Sequence, residues 1–446
     1  MVRGKFYLIS VLVLLFFFME TAISFSIKKE ETFFRSDEPL SFAMKLNNTD
    51  SDNFETKGID HLVKAFLEKN DIIGASVAIT NKEKLVYAKG FGIANDITDE
   101  KVQPGHLFRI ASVSKLITAV TIMHLYELGT ISINDTVFGA NGILNDPEFL
   151  EFKDPRVGKI TVANLLNHTA GWSKRLGDPI FNSVYIAKKM NLDNPSNLDM
   201  IIKYTLQEKL SYSPGRHYSY SNFGYAVLGR IIEKVTNMKY EDYVISNILR
   251  PAGIYDMHIG HNFYYDKFPN EVKYFEAEGS AFCESVDGSD IMVPKTYGGN
   301  DFNLLAAAGG WVASAPELVK FLTYIDGFEN QPDFLKKETV NMMSDHELAG
   351  AGLFGWRGAD KHGTWWRTGT LTGTTALVMR QENGVNWVIL LNSSSYRRNR
   401  LHARLSRTMF SSVYSTKNWP DINLFEVQTI ALKSHLGKIP VLNPEL

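Results

Sequence analysis

A chain of 446 residues that is 44% hydrophobic and 22% charged has the composition of an ordinary globular protein and can bury a large core. Its formal charge of −2 leaves no cationic excess to hold a phosphate backbone, which argues against nucleic acid as a partner. The single cysteine, Cys283, excludes an internal disulfide framework and a thiolate-rich metal site.

Arg3 and Lys5 precede an apolar run from Phe6 to Met19, and the small-residue series Ala22-Ile23-Ser24 follows. A basic start, a short apolar run and a small-residue cut site predict a signal peptide over 1–24, with an uncleaved membrane anchor as the alternative. Both readings export the body, to the periplasm or the extracellular space. Residues 25–53 are polar and mixed in charge and read as a flexible linker. The folded domain is expected over 54–415, followed by a tail over 416–446.

Within that domain Ile59, Leu62, Val63, Phe66 and Leu67 recur at the helical period, so a helix opens the fold. Residues 74–80 and 85–92 read as two strands joined by a turn at Asn81-Lys82-Glu83-Lys84. An apolar helix follows Ser112 and stops at Gly129. The middle, about 112–320, reads as helical and loop-rich, with helices ending near Leu166 and spanning 224–235, 240–249 and 315–325. Strand character returns over 363–367, 374–380 and 387–392, and a closing helix follows over 399–413. Strands at both ends around a helical middle predict an α+β fold: one antiparallel sheet built from both termini, flanked by helices, with the helical region inserted. Residues 256–303, rich in aromatics and charges, fit either a loop covering the substrate or an outer packing layer.

Three boxes carry chemistry. Ser112 and Lys115 lie three positions apart, which on a helix puts both on one face and gives a weak hydroxyl nucleophile a nearby base. Ser26 and Lys29 have the same spacing, but inside the linker. Tyr220-Ser221-Asn222, pinned on a loop by Pro214-Gly215, offers a proton-transfer phenol and an amide. Arg367-Thr368-Gly369-Thr370 puts a cation, hydroxyls and a close-approach glycine on a strand edge that can offer a backbone N–H to an oxyanion. His168 reads as a structural hydrogen-bonding residue. The pair His258 and His261 has neither acidic or cysteine partners for a metal nor the setting of a nucleotide-binding signature.

In that order and at that spacing, Ser112-x-x-Lys115, Tyr220-x-Asn222 and the Arg367-Thr368-Gly369 box resemble the serine β-lactamase and penicillin-binding-protein superfamily, nearest its class C-like branch. Leu165 to Gly171, Pro214-Gly215 and Ala306 to Trp311 resemble landmarks of the same group. The resemblance covers about 55–395 and implies a β-lactamase/transpeptidase-like fold. It implies an acyl-enzyme on Ser112, with Lys115 or Tyr220 as base. Asn222 would orient Lys115 and a substrate amide. Backbone N–H groups of Ser112 and Thr370 would form the oxyanion hole, and no cofactor or metal is implied. The superfamily usually has lysine or histidine where this chain has Arg367, which keeps the charge but cannot shuttle a proton; it is assigned to electrostatics and substrate anchoring. The expected substrate is a small molecule or peptide with an acyl carbonyl, cell-wall peptides among them. An esterase or D-amino acid-type peptidase comes first, a β-lactamase second, and a silent member that binds peptidoglycan or protein third.

Overall fold

The computed structural model describes residues 40–173, 177–193, 195–277, 279–393 and 400–426, and from Ser41 onward they belong to one unit. Residues 1–24, read above as a signal peptide or anchor, the Ser26–Lys29 match and the end of the tail lie outside the described residues. Helix α1, Lys57–Lys69, buries Ile59, Val63, Phe66 and Leu67 on one side, as their spacing dictates. Strands β1 (Gly74–Asn81) and β2 (Lys84–Asn95) form the expected hairpin. Its two turn residues, Lys82 and Glu83, have φ of 51° and 63°, the left-handed pair that a tight hairpin needs. The short strands β3 (Glu100–Lys101) and β4 (Phe108–Arg109) lead to helix α2, Ser114–Glu127, which is buried along most of its length and runs through the core.

The inserted middle contains helix α3, Asn222–Thr236, together with short strands that periodicity could not show: β5 (Met257–Ile259), β6 (Phe282–Glu284), β7 (Met292–Pro294) and β8 (Trp311–Ala313). Strands β4, β8 and β5 form a small sheet, so the insert is helical with a β element inside it. Helix α4 (Ala315–Leu322) is followed by β9 (Gly358–Ala359), β10 (Trp365–Leu371), β11 (Thr374–Arg380), β12 (Val385–Leu391) and helix α5 (Leu401–Ser415).

The main sheet has the order β3-β2-β1-β12-β11-β10-β9 and is antiparallel at every pairing. Strands from the two ends of the domain meet at β1 and β12, with Val77 opposite Ile389. Alternation then sorts the side chains onto two faces. Val77, Ile79, Leu377, Met379, Trp387 and Ile389 pack with α1 and α5, while Ala78, Val378, Val388 and Leu390 pack with α2 and the insert. Among the described residues no helix is long and apolar enough to cross a membrane.

The domain starts earlier than expected. Residues 41–53 form short turns along the sheet rather than a tether: Asn48 accepts from Gly90 N and donates to Val102 O, and Ser51 Oγ bonds both N and O of Ala88. Ser41 Oγ donates to Glu317 Oε1 at 2.7 Å. The first part of the tail is also attached, through Leu424 N to Leu85 O and the edge contact of Phe425 with Phe42.

At the hairpin end of the sheet Glu83 meets Asp326 and Asp333. Burial and the neighbouring carboxylates push Glu83 and Asp333 up to about 7, and burial pushes Asp326 up to about 6. The folded chain therefore holds these protons to a higher pH than the unfolded chain does. Their contribution to stability is complete below about pH 4 and is lost as pH rises through about 6 to 7. Melting temperature should fall over that interval, and Glu83→Gln should flatten the fall in a thermal-shift titration.

Candidate active site

The turn that carries Ser112 is built under strain. Ala111 has φ of 48°, a left-handed conformation that costs a non-glycine residue about 1–3 kcal/mol and persists only where its surroundings impose it. Here Ser114 Oγ donates to Ala111 O at 2.6 Å and accepts from Trp311 N, while Ile110 N donates to Trp311 O. From the other side β10 presses in: a Cβ on Gly369 would lie 2.2 Å from Ile110 O and 3.0 Å from Ser112 N. Only glycine permits that approach. Gly369→Ala should force the strand off the serine turn and abolish reaction at Ser112, measured by covalent labelling alongside a melting curve.

Ser112 sits in a single turn of 3-10 helix that runs into α2, and Lys115 lies in the first turn of α2. Lys115 is fully buried. Its Nζ is 2.7 Å from Asn222 Oδ1, 3.4 Å from Ser112 Oγ and in hydrogen-bond contact with Ala308 O. The closer neighbour of the serine is Tyr220, whose Oη is 2.7 Å from Ser112 Oγ. The Lys115 ammonium also stands over the Tyr220 ring at 5.0 Å.

Arg367 is 1% exposed and lies behind the serine. Its Nε donates to Ser112 O at 2.8 Å, Nη1 to Trp356 O at 3.5 Å and Nη2 to Tyr220 Oη at 3.2 Å. The expected electrostatic position is therefore occupied. Substrate anchoring by Arg367 is not, because the side chain is buried and its fork is engaged by protein oxygens. Thr368 also leaves the set. It pairs with Leu377, which packs with α1 and α5, so strand alternation turns Thr368 away from Ser112.

Two cations and burial set the electrostatics. Burial lowers Lys115 to about 8, with the Arg367 charge adding to the effect and Tyr220 opposing it. Burial alone would raise the Tyr220 phenol, but the charges of Lys115 and Arg367 bring it down to about 7. A phenol with that value at hydrogen-bond distance from a serine can accept a proton at neutral pH.

Three contacts around the site come from residues distant along the chain. Asp178 accepts from Asn222 N at 2.6 Å and Phe223 N at 3.1 Å, satisfying the start of α3 from 44 residues upstream. His168, at φ of 59°, accepts from Ser219 N through its carbonyl and from Ser221 N through Nδ1, and its ring lies 4.5 Å from that of Tyr220. His168 is thus a structural support of the loop, as its sequence context indicates. The third contact is Ala308 O on Lys115. His258 pairs with Asp256 and stacks on Phe268, and among the described residues no cluster of His, Cys, Asp or Glu is arranged to hold a metal ion.

Beyond Trp366 the outer edge of β10 has no strand beside it among the described residues, since β9 pairs only with Trp365 and Trp366. A cavity of about 460 Å³ opens where β10 ends, lined by Phe181, Asn300, Thr370, Thr372, Thr375 and His402 among others. Lys295 and Arg400 add two cations to its wall. Residues 256–303 contribute both to this wall, through Lys295 and Asn300, and to packing: Tyr274, Tyr297 and Phe302 surround the buried Arg109, which also faces Glu271.

A strained serine turn set against a sheet edge, with buried lysine, tyrosine and arginine around the hydroxyl, defines a serine enzyme of the β-lactamase fold. The chain belongs to the beta-lactamase family, whose model matches residues 59–407. It is 25% identical over 352 residues to Protein flp of Staphylococcus aureus (strain COL), a match covering 77% of this chain and 64% of that protein. D-amino acid amidase from Ochrobactrum anthropi SV3, solved with D-phenylalanine, shares the fold at a TM-score of 0.63 and 20% identity, over 82% of this chain and all of that one, 100%. EstCE1, a hydrolase with promiscuous acyltransferase activity, aligns at 0.60 and 18% identity, over 81% of this chain and 98% of that one.

Proposed function

We propose that this chain is an exported serine hydrolase that opens ester or amide carbonyls through an acyl-enzyme on Ser112, with Tyr220 as the base. The observation that carries the reading is the 2.7 Å approach of Tyr220 Oη to Ser112 Oγ, with Arg367 on the same phenol oxygen and the Lys115 ammonium over its ring. The Tyr220 phenolate accepts the Ser112 proton as Oγ bonds to the carbonyl carbon. The resulting oxyanion is held by the N–H groups of Ser112 and Thr370. Collapse breaks the bond to the leaving group, which takes the proton back from Tyr220. Water then repeats the sequence on the acyl-serine and releases the acid. Lys115 and Arg367 keep the phenolate stable between steps, and Asn222 holds Lys115 in place.

Likeness to an amidase of D-amino acids and to a hydrolase with promiscuous acyltransferase activity supports D-aminoacyl amides and other simple acyl donors as substrates. The basic, apolar and small-residue order of 1–24 supports export. Three substrates separate the readings: a 4-nitrophenyl ester, D-phenylalaninamide and a chromogenic cephalosporin. Turnover of the ester or the amide is expected. Turnover of the cephalosporin alone would replace the reading with a β-lactamase. Turnover of none by folded protein would favour a silent peptidoglycan- or protein-binding member.

A further inference from the structure

Helix α3 starts beside two buried cations. Among its first free N–H groups are those of Asn222, Phe223 and Gly224, and Ser221 Oγ accepts from the last of them at 3.0 Å. Asp178 takes the other two: Oδ2 accepts from Asn222 N at 2.6 Å and Oδ1 from Phe223 N at 3.1 Å. Two adjacent N–H groups on two oxygens call for a carboxylate, because an asparagine would turn its own amide hydrogens toward one of them. A single turn of 3-10 helix, Pro179–Phe181, starts at Asp178 and holds it half-buried, with Ile180 packed into the core.

The charges around this position give the carboxylate a second role. The ionisable groups set against the Tyr220–Lys115 pair are Arg367 from β10, the His168 ring, Tyr225 from α3 and Asp178. Burial keeps Tyr225 a neutral phenol. Lys115 and Arg367 against one phenolate leave a positive charge over, and the positive end of the α3 dipole adds to it. Asp178 supplies the missing negative charge, and its field raises the proton affinity of Lys115. We propose that Asp178 is a positioning residue whose carboxylate offsets the two cations and the helix end, so that Lys115 stays an ammonium and Tyr220 keeps enough proton affinity to act as the base. The inference rests on the acyl-serine reading and adds a group that tunes its base from outside the three boxes read in the sequence.

The test follows the acid limb of kcat/KM for a 4-nitrophenyl ester in the unaltered chain and in three variants. Removing an anion favours the phenolate, so Asp178→Asn should move the limb down by about half a pH unit. Below the limb, with each enzyme measured against its own plateau, the variant is then about threefold faster. A purely structural role predicts the opposite sign, because a loosened loop would take Tyr220 away from Lys115 and Arg367 and so raise its phenol. Asp178→Ser, which drops the charge but still accepts one N–H, should shift the limb as Asp178→Asn does, and Asp178→Glu should leave it in place. Tyrosinate absorbance gives the same midpoint without turnover, as the difference between each chain and its Tyr220→Phe counterpart. A limb or tyrosinate midpoint that stays or rises in the folded neutral variants, with ester hydrolysis retained, would overturn the inference while leaving the acyl-serine reading standing. So would an equal downward shift in Asp178→Glu. No ester hydrolysis by the unaltered chain, and no fluorophosphonate adduct on Ser112, would overturn both.

Discussion

Tyr220→Phe should lower kcat/KM by about 10²–10⁴-fold, the usual worth of a positioned base, with the fold intact. The ring would remain, and with it the packing on His168 and the face under Lys115. Only the oxygen 2.7 Å from Ser112 Oγ is lost. Were Lys115 the base instead, at 3.4 Å from the serine, the same variant would lose much less. The pH profile of the unaltered chain supplies a second check. A protonated phenol cannot take the serine proton, so kcat/KM should fall as pH drops below the Tyr220 value of about 7. Because Tyr220 and Lys115 interact strongly, this acid limb belongs to the pair rather than to one residue. In Tyr220→Phe the limb should vanish along with the rate.

The second large effect concerns Arg367. Arg367→Gln removes a buried cation 3.2 Å from Tyr220 Oη, so the phenol loses one of the two charges that hold it down. The acid limb should move up by about one pH unit, which at pH 7 amounts to about a fivefold loss. The variant also leaves Ser112 O and Trp356 O without their donors, so a fall in melting temperature should accompany it. Arg367→Lys keeps the charge without the fork and should restore most of the limb but not the melting temperature. A limb that stays in place in Arg367→Gln would show that the phenol is not tuned from this side.

How far these groups could be read from the sequence follows from the range of their contacts. Ser112 and Lys115 are legible because one turn of helix relates them. Tyr220 and Asn222 are legible as a loop box, yet what fixes that loop, Asp178 and His168, comes from more than forty residues away and carries no periodicity. Arg367, Thr368 and Gly369 form one box on paper, but a strand sends neighbours to opposite faces. Arg367 and Gly369 therefore meet Ser112 while Thr368 goes to the other side. A cation between Trp366 and Thr368 gives no hint on its own that it is buried. Composition misled at residues 41–53 for a related reason: their polar side chains serve as partners for backbone groups of β2 and Val102 rather than for water. Strands β4, β5 and β8, each of two or three residues, are too short for any period to show. The sheet itself was legible at both ends because its strands are long, apolar and separated by clear turns.

Mass spectrometry of the purified chain after reaction with a fluorophosphonate tests the central claim most directly. The account predicts one adduct, on Ser112, forming faster as pH rises through about 7 and suppressed in Tyr220→Phe. Folded protein that forms no adduct, or carries it on another serine, would contradict it.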